Sequence, residues 1–149
     1  MGETVATIET ALIDAVAETF SDMAFVDALP AEEPGAATDT QVFAIDVKSD
    51  QTLRIVMRLS LDSKKAIAEN IHGREWSDLH SVEIDDCLLE FLNVLAGSFG
   101  RNYWGDVSRY KLSFPSVEIG MPEEMGSEPP MEFWFDAEGT PISFVVAKL

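Results

Sequence analysis

The sequence predicts an α+β domain in which one order of elements occurs twice. Three observations carry this reading. Apolar residues recur at helical spacing over two segments, from Ile8 to Met23 and from about Val82 to Tyr103. Each segment is followed by a short strand, a proline-containing loop and two β-rich runs that read as a hairpin. Both helices also carry one polar pattern: Asp, three residues, Glu, two residues, then a small polar side chain. In "DAVAETFS" these are Asp14, Glu18 and Ser21; in "DCLLEFLN" they are Asp86, Glu90 and Asn93. The expected layout is one domain over 1–149. It has pseudo-repeats over about 5–61 and 81–149 and an inserted helix over about 62–73.

Taken in order, Ile8, Leu12, Val16, Phe20 and Met23 form the buried stripe of the first helix. "FVDALP" follows as a short strand stopped by Pro30, and "AEEPGAATDT" is a loop. "QVFAIDVK" and "TLRIVMRLSL" are strands joined by "SDQ". In the second, Leu53, Ile55, Met57, Leu59 and Leu61 alternate with Arg54, Val56, Arg58 and Ser60. "DSKKAIAENIHG" reads as a short helix with Asp62 or Ser63 as N-cap and Gly73 near its end. After the long helix, "YKLSFPSVEIG" is a strand whose alternation shifts phase at Pro115, as at an edge or a bulge. "MPEEMGSEPP" is a loop. "MEFWFDAEGTPISFVVAKL" closes the chain as a hairpin turning at "DAEG".

Composition narrows the function classes. The 149 residues include 10 basic and 27 acidic side chains, a formal net charge of −17. Such a surface repels phosphate backbones and anionic lipid, so neither nucleic acid nor membrane is an expected partner. The acidic start "MGETVATIET" lacks the pattern of a signal peptide, and no apolar run nears the roughly 18 residues that span a bilayer. A cytoplasmic protein is expected. Cys87, the one cysteine, excludes an intramolecular disulfide and a thiolate metal cluster. No recognised cysteine-enzyme pattern surrounds it, and a structural role is expected. His72 and His80 form no ligand pattern, "EIDD" opens no calcium loop, and the three tryptophans receive no binding role.

The long helix carries the functional signal. At about 100° per residue, Asp86, Glu90, Asn93, Gly97 and Arg101 share one narrow arc. Leu88, Leu92, Leu95 and Phe99 lie opposite, with Leu89 and Ala96 on the shoulder. A solvated polar face would account for the charges. It would not account for Asn93 or for Gly97, which costs about 1 kcal/mol relative to Ala in a helix. With Val94 at its edge, the arc is a polar stripe with an apolar border and a glycine gap, suited to close approach by something else.

These residues resemble the CheC/CheX/FliY family of chemotaxis phosphatases, most closely its CheX-like members. "EFLNVLAGSFG" through "KLSFPSVEIG" carries the resemblance, although Pro115 follows Asn93 one residue sooner than in the family's pattern. The resemblance implies a two-layer α/β sandwich with a mainly antiparallel sheet and pseudo-twofold symmetry. It implies hydrolysis of the aspartyl phosphate on a phosphorylated CheY-like receiver domain. Asn93 would hold the attacking water, because a carboxamide both accepts and donates without adding charge near phosphate. Glu90 would accept from the receiver's lysine. Asp86, Val94, Gly97 and Arg101 would meet the partner. No metal or cofactor need come from this chain, since the Mg²⁺ belongs to the receiver. Ser21 is too short to replace Asn93, so one working site per chain is expected. The rival reading is a binding module of the same fold that engages a receiver domain or a flagellar switch component without catalysis. A homodimer joining sheets through the apolar C-terminal hairpin is also expected.

Overall fold

The hydroxyl of Thr7 accepts from the Thr10 N–H at 3.0 Å and starts α1 (Ile8–Thr19). The helix buries Ile8, Ala11, Leu12, Ala15 and Val16, then widens into a π-helical turn over Phe20–Ala24. Phe25, in the left-handed region at φ 59°, ends it. The computed structural model describes residues 7–34, 40–120 and 128–149; most of the two proline-rich loops expected from the sequence lie outside these. Strand β1 (Ala28–Ala31) runs through Pro30 instead of stopping there. Among the described residues it is an edge strand paired only with β6 (Met131–Ala137), a position where the absent proline N–H is tolerated.

Strands β2 (Gln41–Lys48) and β3 (Thr52–Leu59) form the expected hairpin. Helix α2 (Leu61–His72) starts earlier than expected. Its cap is Ser60, neither Asp62 nor Ser63, and the Ser60 hydroxyl accepts from the Ser63 N–H at 3.1 Å. Gly73, at φ 65°, closes it. Helix α3 (Ser81–Trp104) begins where Glu83 reaches back to the His80 N–H at 3.2 Å. That hydrogen bond holds the Glu83 carboxyl below its usual range. The strand expected around Pro115 is two short ones, β4 (Lys111–Leu112) and β5 (Ser116–Glu118), both paired with β2. Ser113 bridges the break. Its N–H donates to the Asp46 carbonyl, and its hydroxyl accepts from the Asp46 N–H, both at 2.9 Å.

The last hairpin joins β6 to β7 (Thr140–Lys148) through the two-residue turn Glu138–Gly139, with φ of 51° and 93°. Two positive φ values match the right-handed twist of the paired strands. All strand pairs are antiparallel, in the order β1-β6-β7-β3-β2-β4, with β5 also on β2. Exchanging β1 with β4/β5, β2 with β6 and β3 with β7 reverses this order without altering it. The pseudo-twofold pattern is therefore present in the sheet, with its axis between β3 and β7.

Helices cover one sheet face, giving an α+β fold in two layers. Phe43, Ile45, Ile55, Met57, Phe144 and Val146 meet the buried stripes of all three helices there. On the other face, Val42, Ala44, Val56 and Val145 form a separate small cluster to which no helix contributes. This placement corrects the reason given for a dimer through the terminal hairpin. β7 is not an edge in need of cover but a central strand, hydrogen-bonded to β3 and β6 and buried from Ile142 to Ala147. Its apolar residues on both faces reflect that central position. Among the described residues, no helix is long and apolar enough to cross a membrane.

Candidate functional site

Helix α3 buries a broader arc than its sequence pattern marks, because it packs on the sheet and on α1 at once. Phe91, absent from the expected core stripe, is fully buried and meets Phe20 edge-on at 4.8 Å between ring centres. Asn102 also ties the two helices, donating to the Ala11 carbonyl at 3.3 Å. This double contact fixes the rotation of α3 and so fixes which residues remain outside.

The remaining face is the one anticipated. Asp86, Glu90, Val94 and Arg101 are exposed, and Asn93 and Gly97 are partly exposed. The side chains of Asp86, Glu90 and Asn93 make no hydrogen bond or ion pair among the described residues. They are available to an outside partner. Arg101 is held differently: its guanidinium pairs with Glu18 of α1 at 3.3 Å, both side chains about half exposed. Such a pair contributes at most about 1 kcal/mol, so Arg101 is tethered, not locked.

The pairing of Glu18 separates the two copies of the polar pattern. Glu18 in α1 corresponds to Glu90 in α3, yet among the described residues Glu18 has a partner and Glu90 has none. The small polar residues differ too. Asn93 continues a regular α-helix, whereas Ser21 lies in the π-helical turn, which shifts it out of phase with Asp14 and Glu18. Only the α3 copy presents its three residues on one uninterrupted helical face.

Two glycines near this face answer different needs. A Cβ added at Gly97 would meet Arg101 Nη1 and Leu112 Cδ1 at 4.0 Å each, ordinary contact distances. Nothing in the packing of the described residues requires glycine there. At Gly100 a Cβ would lie 2.4 Å from Cε2 of Tyr110, an impossible approach. The Tyr110 ring lies across the helix at this point, its hydroxyl donating to the Gly97 carbonyl at 2.9 Å. No local signature in the sequence marks Gly100 for this role, because the tyrosine is ten residues away. Cys87 is buried and donates to the Ile84 carbonyl. Burial, then the charges of Asp85 and Asp86, push its thiol up to about 11, so it is no nucleophile near neutral pH. No cluster of three potential metal ligands occurs among the described residues.

No family model and no curated protein matches the chain. Solved structures do. A CheX from Desulfovibrio desulfuricans superposes with a TM-score of 0.76 at 14% identity, covering 95% of this chain and 99% of that one. A CheX from Vibrio vulnificus gives 0.75 at 14% identity, covering 99% and 100%. The chain has the CheX fold. A third neighbour is a CheX from Borrelia burgdorferi in complex with CheY, BeF3 and Mg²⁺. It gives 0.71 at 17% identity, covering 97% and 99%. CheC-like and FliY structures share the fold as well. The likeness spans nearly the full CheX chain in each case, so the helices and the sheet fall within it.

Proposed function

We propose that this CheX-fold protein accelerates hydrolysis of the aspartyl phosphate on a CheY-like receiver domain, with Asn93 and Glu90 as its working residues. One observation carries the reading: on the outer face of α3, Asn93 and Glu90 stand one turn apart with no partner of their own. A carboxamide in that place supplies what phosphoryl transfer to water needs beyond the receiver's own Mg²⁺ and lysine, an oriented nucleophile. Glu90 would take the receiver's lysine and set the register of the helix against the phosphorylated site. Gly97, with no side chain to stand between helix and partner, permits the approach. Asp86 and Val94 would border the contact, and Arg101 would join it by exchanging Glu18 for a partner group. In this reading the chain binds no metal itself.

The neighbour solved with CheY supports a receiver partner for this fold. The test is the decay of phosphorylated receiver domains from the same genome, with and without the protein. Faster decay of at least one, lost in Asn93→Ala, supports the reading. Binding of a phosphorylated receiver with unchanged decay would favour the non-catalytic module instead.

The homodimer belongs to this proposal with its seam moved. β5 and its flanks expose Phe114, Val117 and Ile119, whereas the edge strand β1 carries Pro30, which blunts pairing. Sheet joining is thus proposed for the β5 side.

A further inference from the structure

We infer that the sheet face opposite the helices holds a binding site for a small organic acid, centred on Arg58. A cavity of about 390 Å³ opens there, at the small end of the roughly 300–1,000 Å³ typical of ligand pockets. Three of its lining side chains have a buried polar atom with no hydrogen-bond partner: Nε of Arg58, Nε1 of Trp134 and Oγ of Ser143. Buried donors are nearly always paired in folded proteins, and an unpaired one costs about 1–3 kcal/mol. Three such groups on the wall of one cavity are accounted for together by a ligand that brings acceptors.

Strand β3 supplies an internal comparison. Arg54 and Arg58 lie four residues apart on one strand, an even spacing, so both point to the non-helical face. Arg54 uses its Nε and Nη2 edge on Asp46, at 2.7 and 3.1 Å, the forked geometry that fits a carboxylate. Arg58 pairs with Glu132 through Nη1 alone, at 2.5 Å. Its Nε is buried without a partner, so the edge that Arg54 gives to a carboxylate is unpaired in Arg58, as are the Trp134 indole N–H and the Ser143 hydroxyl. The complement of that edge is a second carboxylate, brought from outside.

Charge and shape narrow the ligand. Glu132 pairs with Arg58, Glu33 also lines the cavity, and the chain as a whole is strongly acidic, so the site has room for at most one negative charge and a phosphate or polyanion is excluded. Leu59, Pro34, Pro141 and the Trp134 ring add apolar wall, which suits an acid with a compact hydrocarbon body. This inference is independent of the reading of α3, which lies on the opposite layer.

The test follows the Trp134 indole N–H by ¹H–¹⁵N NMR, assigned through Trp134→Phe, as benzoate, indole-3-acetate, benzamide and inorganic phosphate are titrated. At least one of the two acids is expected to shift that resonance saturably in the millimolar range, with benzamide and phosphate at least about ten-fold weaker. Arg58→Lys keeps the charge but not the fork and is expected to weaken the acid about ten-fold or more. Ser143→Ala tests the hydroxyl with little change in volume. Asn93→Ala is expected to bind the acid normally. Absence of a saturable shift with both acids, or equal binding by Arg58→Lys and Ser143→Ala, overturns the site.

Discussion

Replacing Gly97 by alanine is expected to make the protein more stable and less active. The added Cβ would sit 4.0 Å from Arg101 Nη1 and Leu112 Cδ1, so it makes contact without displacing anything. Alanine is favoured over glycine inside a helix by about 0.8–1.0 kcal/mol. For a domain of this size that gain corresponds to roughly 2–4 °C in Tm. The same substitution three residues on should do the reverse. At Gly100 the new Cβ would fall 2.4–2.7 Å from three atoms of the Tyr110 ring, which must move. That movement breaks the hydrogen bond from the Tyr110 hydroxyl to the Gly97 carbonyl and disturbs stacking on Trp104, whose ring centre is 5.7 Å away. Overpacking of about 1–3 kcal/mol and a hydrogen bond of about 1 kcal/mol outweigh the helical gain, leaving a net loss of roughly 2 kcal/mol. Thermal unfolding reads both signs, and decay of the phosphorylated receiver reads function. If Gly97→Ala lowers Tm, the packing argument is wrong. If it raises Tm and leaves the decay rate untouched, the glycine does not serve approach by a partner.

Asn93→Ala should abolish accelerated decay while changing stability by less than about 0.5 kcal/mol, and full activity in a folded variant would end the mechanism. Glu90→Ala should weaken engagement of the phosphorylated receiver, whereas Glu18→Gln and Ser21→Ala should leave the rate unaltered; a large loss in either would make the α1 face a second site. Cys87 gives a pH test. Its folded pKa, about 11, lies above its ordinary value of 9.0, so the unfolded thiol ionises first. The Cys87 contribution is constant below pH 9.0 and is lost between there and about 11, by an amount on the order of 2–3 kcal/mol. Urea unfolding of wild type and Cys87→Ala across that window should show the extra loss only in wild type. Sedimentation at physiological salt should find a dimer that Val117→Lys dissociates, and a monomeric wild type would dismiss the β5 seam.

Local periodicity made most of the elements readable. β3 alternates so regularly that its inward residues could be named, and the stripes of α1 and α3 placed the polar face correctly. What depended on residues distant in sequence stayed hidden. The central position of β7 follows from pairing with β3, some ninety residues earlier, and a strand apolar on both faces reads alike whether central or in need of a partner. The capture of Arg101 by Glu18, across 83 residues, could not be seen from either helix alone. Ser60 continues the alternation of β3, which masks it as a helix cap in the sequence. The π-helical turn leaves no mark in a pattern of apolar spacing. The Arg58 cavity draws on β3, β6 and β7 together, so no single run of sequence announces it.

The interleaved order of the sheet bears on how the chain reaches its native state. The outer strand of each half is held by the other half: β1 pairs Ala28 with Ala137, and β5 returns to β2 to pair Val117 with Phe43. A fragment ending near Gly73 would retain the β2–β3 hairpin but lose every strand that flanks it, along with the helix against which α1 packs. Neither half has a core to close alone. The contacts that join them span loops of about seventy to a hundred residues, whose closure entropy is met before any of those contacts forms. Topologies dominated by such distant pairings fold on the order of milliseconds to seconds. Nascent chains with only the first half outside the ribosome would expose the apolar faces of α1 and of the β2–β3 hairpin until α3 arrives to cover them.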